Sequence, residues 1–202
     1  MKKEEDFKDL LILVNKCKKC EKMKSQIKVL SERNGNINSK LLFIAEAPGR
    51  LGAARTGIPL HGDKTGDNFE ELIKHIGLKR DEIFITNSIL CNPQVASSSN
   101  GSPTSTEIRN CSEYLRKTIE IVNPEVIVTL GKKALFALKN IEKHNYKFNE
   151  CIAKKKTWNS KILFPLYHPS PTVINIYRSL KEQKKDFKVL ELLVKSLNSN
   201  KK

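Results

Sequence analysis

Residues 41–49 read Leu41-Leu42-Phe43-Ile44-Ala45-Glu46-Ala47-Pro48-Gly49. Five consecutive apolar residues that stop at a polar turn describe a strand buried on both faces, as in a parallel sheet covered by helices on each side. The pattern recurs downstream. Ile83 to Thr86 is a second strand leading into Asn87-Ser88, and Val126 to Leu130 is a third, closed by Gly131. Ile162-Leu163-Phe164 is a fourth, ending at Tyr167-His168-Pro169-Ser170. The intervening stretches carry helical spacing: Phe69, Leu72, Ile73 and Ile76 before Gly77, then Ile108, Cys111, Leu115, Ile119 and Val122, then Ala134, Leu135 and Leu138.

A first helix is expected over Phe7 to Val14, and two helices close the chain, the last burying Phe187, Leu190, Leu193, Val194 and Leu197. Cys17 to Ser39 is lysine-rich and loop-like, and Ile141 to Trp158 reads as a helix end plus loop. The expected product is α/β: a three-layer α/β/α sandwich with a central, mainly parallel four-stranded sheet. One domain spans 1–202, with an N-terminal helix and cysteine-bearing loop at 1–39, the α/β core at 40–180 and a C-terminal helix at 181–202.

The 202 residues include 37 Lys+Arg against 22 Asp+Glu, a formal charge of +15. Mean hydropathy is −0.44 and the isoelectric point about 9.6. The chain is apolar enough to fold, unlike a disordered polybasic tail. No run approaches the roughly 18 apolar residues of a membrane-spanning helix, which excludes an integral membrane protein. The opening Met1-Lys2-Lys3-Glu4-Glu5-Asp6 lacks the apolar stretch of a secretory signal, so a cytosolic (cytoplasmic) location is expected. Nucleic acid is the first partner for so basic a chain, with an anionic membrane surface second. Codon usage that favours Lys and Asn would raise the charge with no function attached.

In an open parallel sheet, ligands sit outside the carboxyl ends of the strands. Here every strand delivers a polar or glycine-containing turn to that edge: Glu46-Ala47-Pro48-Gly49, Asn87-Ser88, Gly131 and His168-Pro169-Ser170. Gly, Pro and Asn are ordinary turn formers. Their coincidence with a histidine and a long Gly-rich loop points to a site there.

Taken in order, Cys17-Lys18-Lys19-Cys20, Ala45-Glu46-Ala47-Pro48-Gly49, Thr86-Asn87 leading to Cys91, then Cys111, Asn123-Pro124-Glu125-Val126-Ile127-Val128-Thr129-Leu130-Gly131 and His168-Pro169-Ser170 resemble the iron–sulfur uracil-DNA glycosylases. The match runs from about Cys17 to Ser170. It implies a 4Fe–4S cluster, extrahelical capture of uracil and cleavage of its N-glycosidic bond in base-excision repair. Two subfamilies share the layout. Family 4 has an acidic pair shortly after Glu-Ala-Pro-Gly, where this chain has Gly52 and Ala53, and a Phe where it has Leu60. Arg55-Thr56-Gly57-Ile58-Pro59-Leu60-His61-Gly62-Asp63 is closer to family 5, while Glu46 is a family 4 feature.

Five cysteines are many for a cytosolic chain, where disulfides are rare. Cys17, Cys20, Cys91 and Cys111 supply four thiolates, enough for a 4Fe–4S cluster or for a tetrahedral zinc site. The resemblance favours iron–sulfur. Cys111 lies on the apolar face of its helix and fits a core position as well; Cys151 matches nothing and reads as a spare thiol.

Glycosidic cleavage develops positive charge on the sugar and negative charge on the leaving base. His168 would donate a hydrogen bond to the uracil oxygen as charge accumulates. Asn87 carries a carboxamide that both donates and accepts, matching the uracil Watson–Crick edge. Asp63 is the first choice for the carboxylate that stabilises the cationic sugar or positions water, and Glu46 the second. Either would equally hydrogen-bond loop backbone. Ala47, Pro48 and Gly49 shape the base pocket, and Leu60 or His61 lies against the base. Without the aromatic ring, stacking worth roughly 1–3 kcal/mol per base is lost. Weaker uracil affinity or a wider range of deaminated bases follows.

Ser170, the amides around Gly131 and Lys132, and Arg55 are candidates for DNA phosphates. Arg178 is a weaker one. The Lys16–Lys28 cluster and the tail Lys201-Lys202 read as solvated charge. A monomer acting on uracil-containing DNA is expected, and a non-catalytic nucleic-acid-binding module held by a metal cluster is the alternative.

Overall fold

The computed structural model of the chain describes residues 2–96 and 99–199; Lys201 and Lys202 lie outside them. The elements run α1 (Lys2–Asn15), β1 (Leu41–Ala45), α2 (Ala53–Thr56), α3 (Lys64–His75), β2 (Phe84–Asn87), β3 (Gln94–Ala96) and β4 (Ser99–Asn100). The second half continues with α4 (Ser105–Val122), β5 (Val126–Leu130), α5 (Lys132–Leu138), α6 (Phe148–Cys151), β6 (Lys156–Trp158), β7 (Lys161–Leu166), α7 (Pro171–Ile176) and α8 (Leu180–Ser199).

Five strands form the main sheet in the order β2-β1-β5-β7-β6, and β3 and β4 form a separate hairpin. All neighbours pair in parallel except β6 and β7. The expected four strands are therefore five. The extra one arises in the segment read as helix end plus loop. Lys156–Trp158 folds back on β7 through Asn159 and Ser160, both at positive φ (47° and 58°), the geometry of a tight two-residue hairpin.

Alternation along β1 assigns the two covering layers. Leu42 and Ile44 join Phe84, Ile127 and Leu163 in a core closed by Phe7, Leu10 and Val14 of α1 and by Ile108, Leu115 and Ile119 of α4. Leu41, Phe43 and Ala45 face the opposite core, closed by Phe69, Leu72 and Ile73 of α3 and by Phe187 and Leu190 of α8. Phe43 anchors that side, meeting Phe69 edge-on at 5.3 Å and Phe187 in a stack at 6.3 Å. Each such ring contributes roughly 1.5–3 kcal/mol on burial.

Helix ends follow local chemistry. Thr104 and Glu107 form a reciprocal cap at the start of α4, and Asn123 ends it in the left-handed region before Pro124. The chain passes from β1 to β2 on one side and then crosses back to β5 on the other. A topological switch point therefore lies between the adjacent carboxyl ends of β1 and β5. No helix among the described residues is long and apolar enough to cross a membrane.

Candidate active site

A cavity of about 270 Å³ opens at that edge. The turn after β1 supplies Glu46, Ala47, Pro48 and Gly49; the loop before α3 supplies Leu60, His61 and Asp63; the turn after β7 supplies His168 and Ser170. These are the catalytic and base-pocket residues expected from sequence, with Asn87 excepted. Ala53, Thr65, Asn92, Gly101 and Thr172 complete the lining.

Three turns converge because buried side chains tie their backbones together. Asn68, on the buried face of α3, donates to the Pro169 carbonyl at 2.9 Å and so fixes the His168 turn against α3. Asn92 donates to the Pro48 carbonyl at 2.6 Å. Arg80 donates to the carbonyls of Pro59 (2.9 Å) and Leu60 (2.8 Å), while its Nε holds Glu70 at 2.6 Å. That grip holds Leu60 buried at φ +48°, an uncommon conformation for a leucine. Asn68 and Arg80 were not singled out from sequence. The available signal was Asn68 itself, a polar residue one turn before Leu72 on an otherwise apolar face.

Asp63 has two tasks. Its Oδ1 accepts the Gly66 amide at 3.0 Å and so caps α3, as an acidic N-cap should. Its Oδ2 faces the first loop, where a Cβ on Gly49 would stand 2.9 Å away. A Cβ on Gly52 would collide with Oδ2 and stand 2.8 Å from the His61 carbonyl. The glycine at 52, where a resembling subfamily carries acid, is thus what lets the Asp63 carboxylate reach the cavity. Glu46 accepts from Ser102 Oγ at 2.8 Å, and its backbone carbonyl accepts from Ser88 Oγ.

His168 is partly accessible, and burial pushes its pKa down to about 4. The ring is therefore neutral at physiological pH and offers one N–H donor. Gly131, at φ +92°, lets the start of α5 pass His168 closely; a Cβ there would lie 3.5 Å from the His168 Cβ. Asn87 is buried at the end of β2, in register with Ala45. It does not line the cavity, and among the described residues neither its Oδ1 nor its Nδ2 has a partner. A buried carboxamide with both ends unmet costs about 1–3 kcal/mol.

Among the expected phosphate contacts only Ser170 reaches the cavity, where it also caps α7. Arg55 is exposed on α2, and Lys132 lines a different groove. Arg178 is held at 2.7 Å by Asp186 and at 3.4 Å by Glu182, so it is an internal tie and not a free cation. Ile176 and Tyr177, at the end of α7, stand 67% exposed just past the His168 turn, an apolar pair that sequence reading did not notice.

Cys17, Cys20, Cys91 and Cys111 line one small cavity between the N-terminal segment, the stretch after β2 and α4. Burial pushes the Cys91 thiol up to about 11 and that of Cys111 to about 12. Asn110 donates to Cys20 Sγ at 3.4 Å and to the Lys19 carbonyl at 3.2 Å. Among the described residues no three His, Cys, Asp or Glu side chains converge on a single metal position. Cys151 is buried elsewhere, its Sγ donating to the Lys147 carbonyl at 3.1 Å.

The profile of the uracil DNA glycosylase superfamily matches residues 32–193. The chain is similar to the "Type-4 uracil-DNA glycosylase" of Saccharolobus solfataricus, 38% identical over 171 residues, covering 80% of this chain and 74% of that protein. Identity to the "Type-4 uracil-DNA glycosylase" of Archaeoglobus fulgidus is 30% over 191 residues, covering 91% of each. The "Type-5 uracil-DNA glycosylase" of Pyrobaculum aerophilum is 25% identical over 202 residues, covering 86% of this chain and 85% of that protein.

Proposed function

The chain belongs to the uracil DNA glycosylase superfamily, and we propose that it releases uracil, and other deaminated bases that fit, from DNA by hydrolysing the N-glycosidic bond. The observation that carries this reading is one cavity at the switch point that holds a neutral imidazole, His168, together with a carboxylate, Asp63.

The reacting nucleotide must leave the duplex to enter. As the C1′–N1 bond breaks, its electron pair moves into the uracil ring and negative charge collects on an oxygen. His168 donates its N–H to that oxygen, and neutrality suits it to a hydrogen bond rather than a full proton transfer. Asp63 faces the cationic sugar and orients the water whose oxygen bonds to C1′; the proton that water loses neutralises the departing uracil anion, leaving free base and an abasic site. Asn87, buried at the end of β2 behind the cavity lining, would supply the donor–acceptor pair for the uracil edge once a seated base opens the way to it, which would satisfy its two unmet groups. Leu60 and His61 provide no large ring against the base, which widens the range of bases accepted. Ser170 and the backbone at Gly131 take the flanking phosphates. Ile176 and Tyr177, exposed shortly after the His168 turn in sequence, would fill the gap left by the extruded base. The protein acts as a monomer in the cytosol, in base-excision repair.

Incubation with an oligonucleotide carrying a single uracil, followed by alkali, should give strand scission at that position. Binding without scission on uracil, hypoxanthine and xanthine substrates would overturn the reading in favour of a non-catalytic module.

Cys17, Cys20, Cys91 and Cys111 are the residues that would hold a 4Fe–4S cluster. Four thiols lining one cavity match the ligand number of a 4Fe–4S cluster, and the likeness to iron–sulfur glycosylases favours it over a tetrahedral zinc. When bound, the cluster supplies a structural tie between the N-terminal segment and the loops facing DNA. Anaerobically purified protein should contain about four irons and four acid-labile sulfides per chain. Cys17→Ser with Cys20→Ser should abolish both. One zinc per chain with no iron would end the cluster assignment.

A further inference from the structure

A second concavity, of about 420 Å³, lies beside α5 and is independent of the cavity just described. Its walls include Lys132, Phe136, Lys139, His144 and Tyr146. Phe136 is 38% exposed, a large ring left facing solvent. His144 and Tyr146 stack with centroids 5.3 Å apart and planes 24° off parallel, and Lys156 stands 5.9 Å over the Tyr146 ring.

The stack is fixed in place. The Tyr146 hydroxyl donates to the Thr157 carbonyl at 2.6 Å. His144 Nδ1 accepts the Tyr146 amide at 3.3 Å, so Nε2, 3.1 Å from the Leu135 carbonyl, is the nitrogen that carries the proton. That pair of bonds requires a neutral imidazole, and burial also lowers the His144 pKa. The segment from Lys132 to Lys156 holds eight lysines and only two acids, Glu142 and Glu150. Of the two, Glu150 lines the groove and is paired with Lys147 at 3.3 Å, an exposed pair that leaves the groove basic.

Two links join this groove to the candidate active site. Lys132 follows Gly131, which packs against His168. Phe148, in the groove wall, meets Tyr167 edge-on at 5.2 Å, and Tyr167 is the residue before His168. A rigid flat ring pair bordered by lysines is the composition that binds unpaired bases: rings take a base face, and ammonium groups take the backbone. A base inside a duplex has both faces covered and gains nothing from such a surface.

We propose that this groove holds an unpaired nucleotide of the DNA strand that leaves the active-site cavity, its base against both the Phe136 ring and the His144–Tyr146 pair and its phosphates against Lys132 and Lys139. The assignment rests on the reading that DNA enters that cavity, and it adds a preference for a single-stranded flank.

The test uses uracil-free DNA, so it does not depend on excision. Fluorescence anisotropy compares a blunt duplex with the same duplex extended by four unpaired nucleotides at the 5′ end or at the 3′ end. One polarity should bind about tenfold tighter than blunt. Phe136→Ala and Tyr146→Ala should each reduce that ratio to about twofold or less, and Tyr146→Phe, which keeps the ring, should restore it. In unsubstituted protein, 2-aminopurine placed in the favoured overhang should be quenched on binding. Equal affinity for all three duplexes, a ratio that survives both alanine variants, or unquenched 2-aminopurine would each overturn the proposal. Excision failing while the overhang ratio persists would sink the glycosylase reading and leave the groove standing.

Discussion

His168→Ala lowers the single-turnover rate of uracil release about 10²- to 10³-fold, the usual loss when one donor to a developing oxyanion is removed. DNA affinity should change far less, because the ring is one contact in an interface dominated by phosphates. The pH dependence separates a neutral donor from a charged one. The folded-state pKa of His168 is about 4, so its neutral form predominates at every pH above that. The rate should therefore show no inflection attributable to this residue near pH 6.5. A rate that climbs tenfold per unit as the pH falls, down to about pH 4, would identify an imidazolium and overturn the mechanism.

Stability follows the same shift. An unfolded chain takes up the His168 proton near pH 6.5, whereas the folded chain resists until about pH 4. Between those values the unfolded state binds more protons, so stability falls as the pH falls. The loss amounts to as much as about 3 kcal/mol. His168→Ala should flatten the urea midpoint across that window while leaving it unchanged in shape above pH 7.

Asn87→Leu should move stability and activity in opposite directions. Replacing a buried amide that has no partner with an apolar side chain of similar size removes a desolvation cost, raising stability by about 1–2 kcal/mol. The same change removes both hydrogen bonds to the uracil edge. At about 1.5 kcal/mol each, the loss is about a hundredfold or more in kcat/KM. Urea melts and a uracil-release assay on the same preparation read both signs. A variant that is destabilised yet fully active would show that Asn87 is structural and that its amide finds a partner within the protein.

The parallel strands were legible because burial on both faces leaves a continuous apolar run, as in Leu41–Ala45 and Val126–Leu130. β6 was not. Lys156-Thr157-Trp158 sits at the sheet edge with only Trp158 buried, and its turn uses Asn159-Ser160 at positive φ without the glycine that usually marks such hairpins. The strand-end part of the cavity, Glu46 to Gly49, His168 and Ser170, was legible because turns after parallel strands share one edge, whereas Leu60, His61 and Asp63 were expected only through the family resemblance. Asn68 and Arg80 escaped notice because their work is done on backbone carbonyls of distant turns, at Pro169 and Leu60, and no local pattern encodes such a contact. Arg178, only a weak candidate for DNA from sequence, is held by Asp186.

The packing of Asp63 against Gly52 also limits how such a chain can change over generations. An acid introduced at position 52 meets Asp63 and the His61 carbonyl, and removing Asp63 first uncaps α3 and leaves Glu46 as the carboxylate among the cavity-lining residues. The His61 carbonyl, 2.8 Å from where a Cβ at position 52 would stand, obstructs a side chain there whether or not Asp63 is present. Moving the carboxylate from position 63 to position 52 therefore requires the loop backbone at His61 to move with it, which no single exchange of side chains achieves.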